Sequence, residues 1–343
     1  MMKKDKIVAI IVMLFVSIVV IICLNDDATK GGFSNKVITK EGFYFDTYVK
    51  ISIYDCLENA NALRDFETIL DEAINICAKY ERICSPTNSN SELFLLNSNP
   101  DYLNGKTVEL STALEDIICK TEEITLPFQE KFSIYSGDLC ALWDFSKKNI
   151  PSRDMIENAL NNFNNPTINT RITLGASAKG FIADKIGEHL RSVGINEALI
   201  DLGGNILAIG DKYNDSLYGI GIKKPFSDNS NPICAVKIKN KSVVTSGIYE
   251  RYFEENNKIY HHIIDTSTGY PAENDILSVT IIADSSLVAD CYSTGFLLMG
   301  KEFALNMANN KTYEDIECII IDKDYNIYLS NGLKDDGEFI TLK

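Results

Sequence analysis

Basic residues are in short supply. Lysine and arginine together number 33 against 48 aspartates and glutamates, a formal net charge of −15 over 343 residues. Such a chain lacks the basic face that a phosphate backbone requires, so no nucleic-acid partner is expected. No CxxC pair occurs, and the nine cysteines (23, 56, 77, 84, 119, 140, 234, 291 and 318) have no even spacing. That excludes a compact disulfide scaffold, which is short and cysteine-dense. Cysteines inside apolar runs, as at Ile76-Cys77, Ile118-Cys119 and Cys318-Ile319, read as small core residues. Internal repeats and low-complexity blocks are absent. Hydrophobic residues make up 45% and charged residues 24%, which excludes wholesale disorder and a collagen-like chain.

One long uncharged run is present, Ile7 to Leu24, preceded by Lys3, Lys4 and Lys6. It makes roughly 27 Å of helix at about 1.5 Å per residue, enough to cross a bilayer core. The lysines keep its start in the cytoplasm. No small-x-small cleavage site follows, and Val20-Ile21-Ile22 lacks the small residue expected before a lipidated Cys23. The expected organisation is a cytoplasmic terminus over 1–6 and a transmembrane anchor over 7–24, with a signal peptide as the alternative. A linker over 25–40 and a catalytic domain over 41–343 follow, the domain on the extracytoplasmic side of the cell membrane.

Within that domain, Phe43 to Tyr54 alternates like a strand, and Asn59 to Ile83 carries apolar residues at helical spacing. Ser85 to Asn99 is turn-rich. Helices are predicted over Ser111–Glu123, Pro151–Phe163, Ala178–Val193 and Ser285–Gly300. Strands are predicted at Arg171–Leu174, Ala198–Ile206 with a break at Gly203-Gly204, Tyr218–Lys223, Ala235–Lys239, Tyr252–Ile264, Leu277–Ala283, Ile316–Asp322 and Ile327–Leu329. Helices and strands mix without strict alternation, which predicts an α+β fold with mixed, largely antiparallel sheets packed against helices.

Three segments could carry chemistry. In Gly175-Ala176-Ser177-Ala178-Lys179-Gly180, small residues lead into a helix start, aiming backbone N–H groups and an ammonium at an anion, although many solvated turns look the same. The spacing is not that of a Walker motif. Asp290 and Thr294 are i and i+4 on one helix face, an arrangement that suits either a hard cation held through oxygen or an ordinary back-bonded threonine. His261 and His262 are adjacent in a strand pattern and therefore point to opposite faces, so one of them at most enters a given pocket.

Together these segments resemble a known family. Asp201-Leu202-Gly203-Gly204-Asn205, Val244-Thr245-Ser246-Gly247 through Glu250-Arg251, His261-His262-Ile263-Ile264-Asp265-Thr266 to Thr268-Gly269-Tyr270-Pro271, and Ala289-Asp290 with Ser293-Thr294 follow the glycine turn in the order found in the ApbE family of FAD:protein FMN transferases. Phe45-Asp46-Thr47, Ser91-Glu92-Leu93 and Gly137-Asp138-Leu139 with Leu142-Trp143 resemble its N-terminal motifs more loosely.

The resemblance implies an ApbE-like fold and an enzyme that cleaves FAD, attaches FMN through a phosphoester to a threonine or serine of a target protein, and releases AMP. It implies Mg2+ on the Ala176 carbonyl, Asp290 and Thr294, with Ser293 nearby, and FAD as substrate on Lys179. His262 would be the base that deprotonates the accepting hydroxyl, and a near-neutral pKa suits that work. FAD contacts are implied for Thr245, Ile264, Phe45, Thr87, Lys131, Phe132, Ser133 and Thr173. The acceptor protein would be an extracytoplasmic redox subunit or an FMN-binding domain. Alternatives are an FAD pyrophosphatase giving FMN and AMP, and a non-catalytic flavin-binding scaffold. Thr173 and Ser133 stand where the family usually has aspartates, and Asp138 where it has proline.

Overall fold

The computed structural model describes residues 37–54, 60–165, 167–212, 216–227, 231–311, 314–335 and 339–341. The expected anchor, Cys23 and Cys56 lie outside the described residues. Within them, no helix is long and apolar enough to cross a membrane.

The largest sheet holds eight strands: β1 (Ile38–Tyr44), β2 (Thr47–Ile53), β3 (Ala198–Leu202), β4 (Asn205–Ile209), β7 (Ser242–Gly247), β10 (Ile276–Ala283), β11 (Glu317–Asp322) and β12 (Ile327–Leu329), in that spatial order. Every neighbouring pair is antiparallel. A three-stranded sheet of β13 (Phe339–Thr341), β6 (Pro232–Ile238) and β5 (Tyr218–Lys223) covers one face. A separate hairpin is formed by β8 (Tyr252–Glu255) and β9 (Lys258–His261).

Helices cover the other face: α1 (Ala60–Cys84), α4 (Thr112–Thr125), α7 (Ala178–Ser192) and α8 (Ser286–Met299). Shorter helices are α2 (Glu92–Asn97), α3 (Pro100–Leu103), α5 (Gly137–Ala141), α6 (Arg153–Phe163), α9 (Lys301–Asn310) and α10 (Asn331–Asp335). The α+β, largely antiparallel expectation matches this arrangement.

Sandwiching the large sheet explains its composition. Val49, Ile51, Leu202, Leu207, Val244 and Val279 face the helices, while Leu199, Ile206, Ala208, Val243, Ile282 and Ile319 face the small sheet. Strands covered on both sides read as continuous apolar runs, as β4 and β10 do. Helix α8 is buried along nearly its whole length, so its polar residues Asp290 and Ser293 sit in the interior. Cys77, Cys84, Cys234, Cys291 and Cys318 are buried and unpaired, and burial pushes the Cys77, Cys84, Cys234 and Cys318 thiols up to about 12.

Several boundaries differ from the sequence expectation. The first predicted strand is a hairpin, and β1 starts at Ile38, inside the stretch expected to be linker. Its two-residue turn places Phe45 and Asp46 at φ 55° and 56°, the left-handed conformation that fits a tight hairpin of this twist. That turn shape carries no sequence signal here, because neither residue is glycine or asparagine. Residues 171–174 form no strand. Their partners are the Asn97 side chain, which accepts from Ile172 N at 2.8 Å and donates to Ile172 O at 2.9 Å, and the Ile134 carbonyl, which accepts from Thr173 N. An amide side chain satisfies the backbone that a neighbouring strand would otherwise pair.

Candidate active site

Helices α7 and α8 cap each other. Ser177 makes no side-chain cap for α7, and the Gly180 amide instead donates to Asp290 Oδ2 at 2.9 Å. In return, Asp184 of α7 accepts from Ser286 N (2.8 Å), Leu287 N (3.0 Å) and Ser285 Oγ (2.7 Å) at the start of α8. Each carboxylate therefore lies at the positive end of the partner helix. The helices touch at Gly180, where a Cβ would stand 2.3 Å from the Ser286 carbonyl. Only glycine permits that approach, and it places Lys179 beside Asp290.

Strand β7 completes this side. Ser246 Oγ lies 2.7 Å from Ser293 Oγ and 3.0 Å from Thr294 Oγ1, and Ser293 Oγ donates to the Asp290 carbonyl at 2.9 Å. Thr245 points to the other sheet face, where its hydroxyl is 2.8 Å from Thr280 Oγ1. The structure thus joins Ser246, not Thr245, to Thr294, as strand alternation requires.

The charges converge on Lys179. Burial raises the Asp290 pKa, and Lys179, the Gly180 amide and Asn205 oppose that rise. Burial pushes Asp201 up to about 6 against the Gly204 amide and Lys179. His262 is driven down to about 3, first by burial and then by Arg251, His261 and Lys179. That corrects the near-neutral value expected from sequence: packing and nearby cations disfavour the imidazolium. A neutral ring is nevertheless the form that accepts a proton.

Its neighbour has another task. His261 ends β9 at 4% exposure, its Nε2 lies 3.0 Å from the Ala272 carbonyl, and burial brings its pKa down to about 4. His262 begins the loop beyond β9, its amide donating to the Arg251 carbonyl at 3.1 Å, and its buried Nδ1 has no partner among the described residues.

The donors around Asp290 are oxygens. Gly180 N–H would, in a longer helix, bond to the carbonyl of Ala176. Its bond to Asp290 leaves that carbonyl clear, next to the α7 start. No cluster of three or more His, Cys, Asp or Glu side chains able to hold a metal occurs among the described residues. One carboxylate, a hydroxyl and a carbonyl fit a hard cation such as Mg2+ and do not fit a thiolate or imidazole site.

The ApbE family profile matches residues 45–320. The chain belongs to the ApbE family. An FAD:protein FMN transferase of Klebsiella pneumoniae (strain 342) is 43% identical over 47% of this chain and 48% of its own length, so the chain spans about half of that relative. One of Treponema pallidum (strain Nichols) is 31% identical over 78% of this chain and 80% of its own. The crystal structure of the ApbE protein of Thermotoga maritima superposes with a TM-score of 0.75 at 27% identity, covering 87% of this chain and 98% of its own. ApbE of Vibrio cholerae, at 22% identity and a TM-score of 0.72, shares the fold.

The remaining ApbE-like positions form a looser second side. Residues 131–137 run along 171–174, joined by Thr173 N to the Ile134 carbonyl at 2.7 Å and Gly137 N to the Arg171 carbonyl at 2.8 Å. The two departures, Ser133 and Thr173, thus stand on adjoining segments. Ser133 Oγ accepts from Tyr135 N at 3.1 Å. Asp138 accepts from the Arg171 amide at 3.1 Å and pairs with its guanidinium at 3.3 Å, work that proline cannot do. Lys131 Nζ lies 3.8 Å from Asp265, and Thr266 N donates to the Lys131 carbonyl, tying this side to the histidine loop. Phe132 packs against the main core, and Ile264 packs with Trp143 and Ile156. The Phe45 amide donates to Glu81 at 3.0 Å, and Thr87 stands exposed in the turn before α2.

Sequence reasoning assigned no role to Asp184 or Asn205. A carboxylate five residues past Lys179 carries no signal until α8 is brought to it, and Asn205 stood only as the end of a motif.

Proposed function

We propose that this chain is a Mg2+-dependent FAD:protein FMN transferase. The observation that carries the reading is the α7–α8 contact, in which Gly180, the neighbour of Lys179, donates to Asp290 while Ser246 joins Ser293 and Thr294 on the same side. That grouping suits a substrate with a pyrophosphate at its centre and a hydroxyl nucleophile. Its relatives bear the name of this activity.

In this reading, Asp290, the Thr294 hydroxyl and the Ala176 carbonyl hold Mg2+. When bound, Mg2+ neutralises pyrophosphate charge. Lys179, at the start of α7, binds the FAD phosphates through its ammonium. Neutral His262 takes the proton from a threonine or serine hydroxyl of the acceptor protein. That oxygen forms a bond to the FMN phosphorus while the bond from phosphorus to the bridging oxygen breaks, and AMP departs with that oxygen. Phe45, Thr87, Ile264, Lys131, Phe132, Ser133 and Thr173 line the flavin nucleotide, and Thr245 supports the strand that carries Ser246.

Incubating the full chain with FAD, Mg2+ and an acceptor bearing a Ser/Thr-Gly-Ala-Thr segment tests this. Flavin fluorescence that stays with denatured acceptor is expected. Free FMN and AMP with unlabelled acceptor would identify a pyrophosphatase, and unchanged FAD would leave a flavin-binding scaffold.

The lysines before Ile7–Leu24 support an extracytoplasmic catalytic domain on a membrane anchor, with an acceptor on that side. Protease added to intact spheroplasts is expected to digest the domain; protection would place it inside.

A further inference from the structure

Asn205 opens β4, pairs with Val244 of β7, and is 0% exposed. Its Oδ1 accepts from Ser286 Oγ at 2.5 Å. Ser286 is held by Ser242, whose hydroxyl lies 2.9 Å from Ser286 Oγ and 2.7 Å from the Ile206 carbonyl. This hydroxyl relay fixes which way the amide faces. With Oδ1 committed to Ser286, the NH2 group is directed away from it, and Nδ2 is buried with no partner in hydrogen-bond geometry among the described residues. A buried donor without a hydrogen-bond partner carries an uncompensated desolvation cost, so its retention calls for a function. On the same face of α8, one helical turn beyond Ser286, lies the buried carboxylate of Asp290. Asp290 Oδ2 is already taken by the Gly180 amide.

We propose that Asn205 is a positioning residue for the cation site: pinned by Ser286 and Ser242, its amide orients the Asp290 carboxylate so that the oxygen not bound by Gly180 faces the cation. The inference rests on the reading of Asp290 as the cation's carboxylate ligand. Partners that orient a metal ligand from behind typically change metal affinity by about 10–100-fold.

Mn2+ titrated into the full-length protein, with free ion followed by electron paramagnetic resonance, tests it. Asn205→Ala should weaken Mn2+ binding by on the order of 10-fold. In transfer assays it should raise the Mg2+ concentration needed for half-maximal rate, with kcat recovered at saturating Mg2+ and the KM for FAD then unchanged. A purely structural loss would lower kcat at every Mg2+ concentration. Ser286→Ala, which removes the pin and keeps the amide, should shift Mn2+ affinity in the same direction by less. Wild-type Mn2+ affinity in either variant, folded by circular dichroism, overturns the proposal; if Asn205→Ala does not fold, Ser286→Ala decides alone. Asp290→Ala separates the underlying reading: if that variant still binds Mn2+ like wild type, the ligand assignment itself has failed.

Discussion

Asp290 and Asn205 are 4% and 0% exposed, held by helix ends and a serine relay, whereas Thr87 stands in an exposed turn and Ser133 and Thr173 are half-buried on paired loops. The side proposed for the cation is therefore built from regular elements that cap one another, and the side proposed for the nucleotide from segments that lack a ladder. A substitution on the first side leaves a buried group without its partner, while on the second, water or a neighbouring hydroxyl can take over. The contrast places Ser133, Thr173 and Asp138 on the side where a substitution is more easily accommodated, and Asp290 and Thr294 on the side where it is not.

The sharpest test of that contrast is Asp290→Ala. It removes both the proposed cation ligand and the cap of α7, so metal-dependent FMN transfer should fall below detection. A wild-type rate at limiting Mg2+ would erase the distinction between the sides. Next in size is His262→Ala, expected to cut transfer by on the order of 10²-fold while FAD binding by fluorescence quenching stays nearly intact. His261→Ala should spare most of the rate and lower the melting temperature instead, because its ring is packed against the Ala272 carbonyl. Equal rate losses from the two variants would show that the wrong ring faces the substrate.

A smaller effect concerns pH. Both histidines have folded pKa values below the ordinary 6.5, about 4 for His261 and about 3 for His262. As pH falls below about 6.5 the unfolded chain takes up protons that the folded chain refuses, so stability drops by up to about 1.4 kcal/mol per pH unit for each histidine. Asp201, raised to about 6, acts in the opposite sense below that pH. The comparison is thus between wild type and His261→Gln: melting temperature should fall less from pH 7 to pH 5 in the variant. An equal fall would show that His261 is not held neutral.

The smallest change is expected on the loose side. Ser133→Asp and Thr173→Asp together should tighten FAD modestly, since a charge-assisted hydrogen bond is roughly twice as strong as a neutral one. Transfer by the wild type should already be present in the acceptor-labelling assay. An inert wild type rescued by the double replacement would show that the nucleotide side, not the cation side, limits this chain.

Much of this was legible in the residues. Apolar runs bounded by turns located β5, β10, β11 and β12 to within a few residues, and for β10 and β11 burial on two faces demands them. The i, i+4 pair of Asp290 and Thr294 follows from the helix period, whereas the strand expected over Tyr252–Ile264 is a hairpin that ends at His261, so His262 stands in a loop and not on the opposite strand face. The Phe45-Asp46 turn and the 171–174 segment were misread, because their backbone is satisfied by Glu81, Asn97 and the Ile134 carbonyl, all distant in sequence.

The sequence by itself determined the antiparallel α+β class, the order of the motifs and the residue types able to hold a cation, an anion and a proton. Periodicity and side-chain chemistry are local properties, carried wherever the chain goes. Only the tertiary structure decided that Asp290 caps the helix bearing Lys179, that Ser286 pins the Asn205 amide, that Ser246 rather than Thr245 meets Thr294, and that burial and nearby cations press the His262 pKa down. Each of these depends on which groups are brought within hydrogen-bond reach and how far water is excluded around them, and both are set by how distant segments pack.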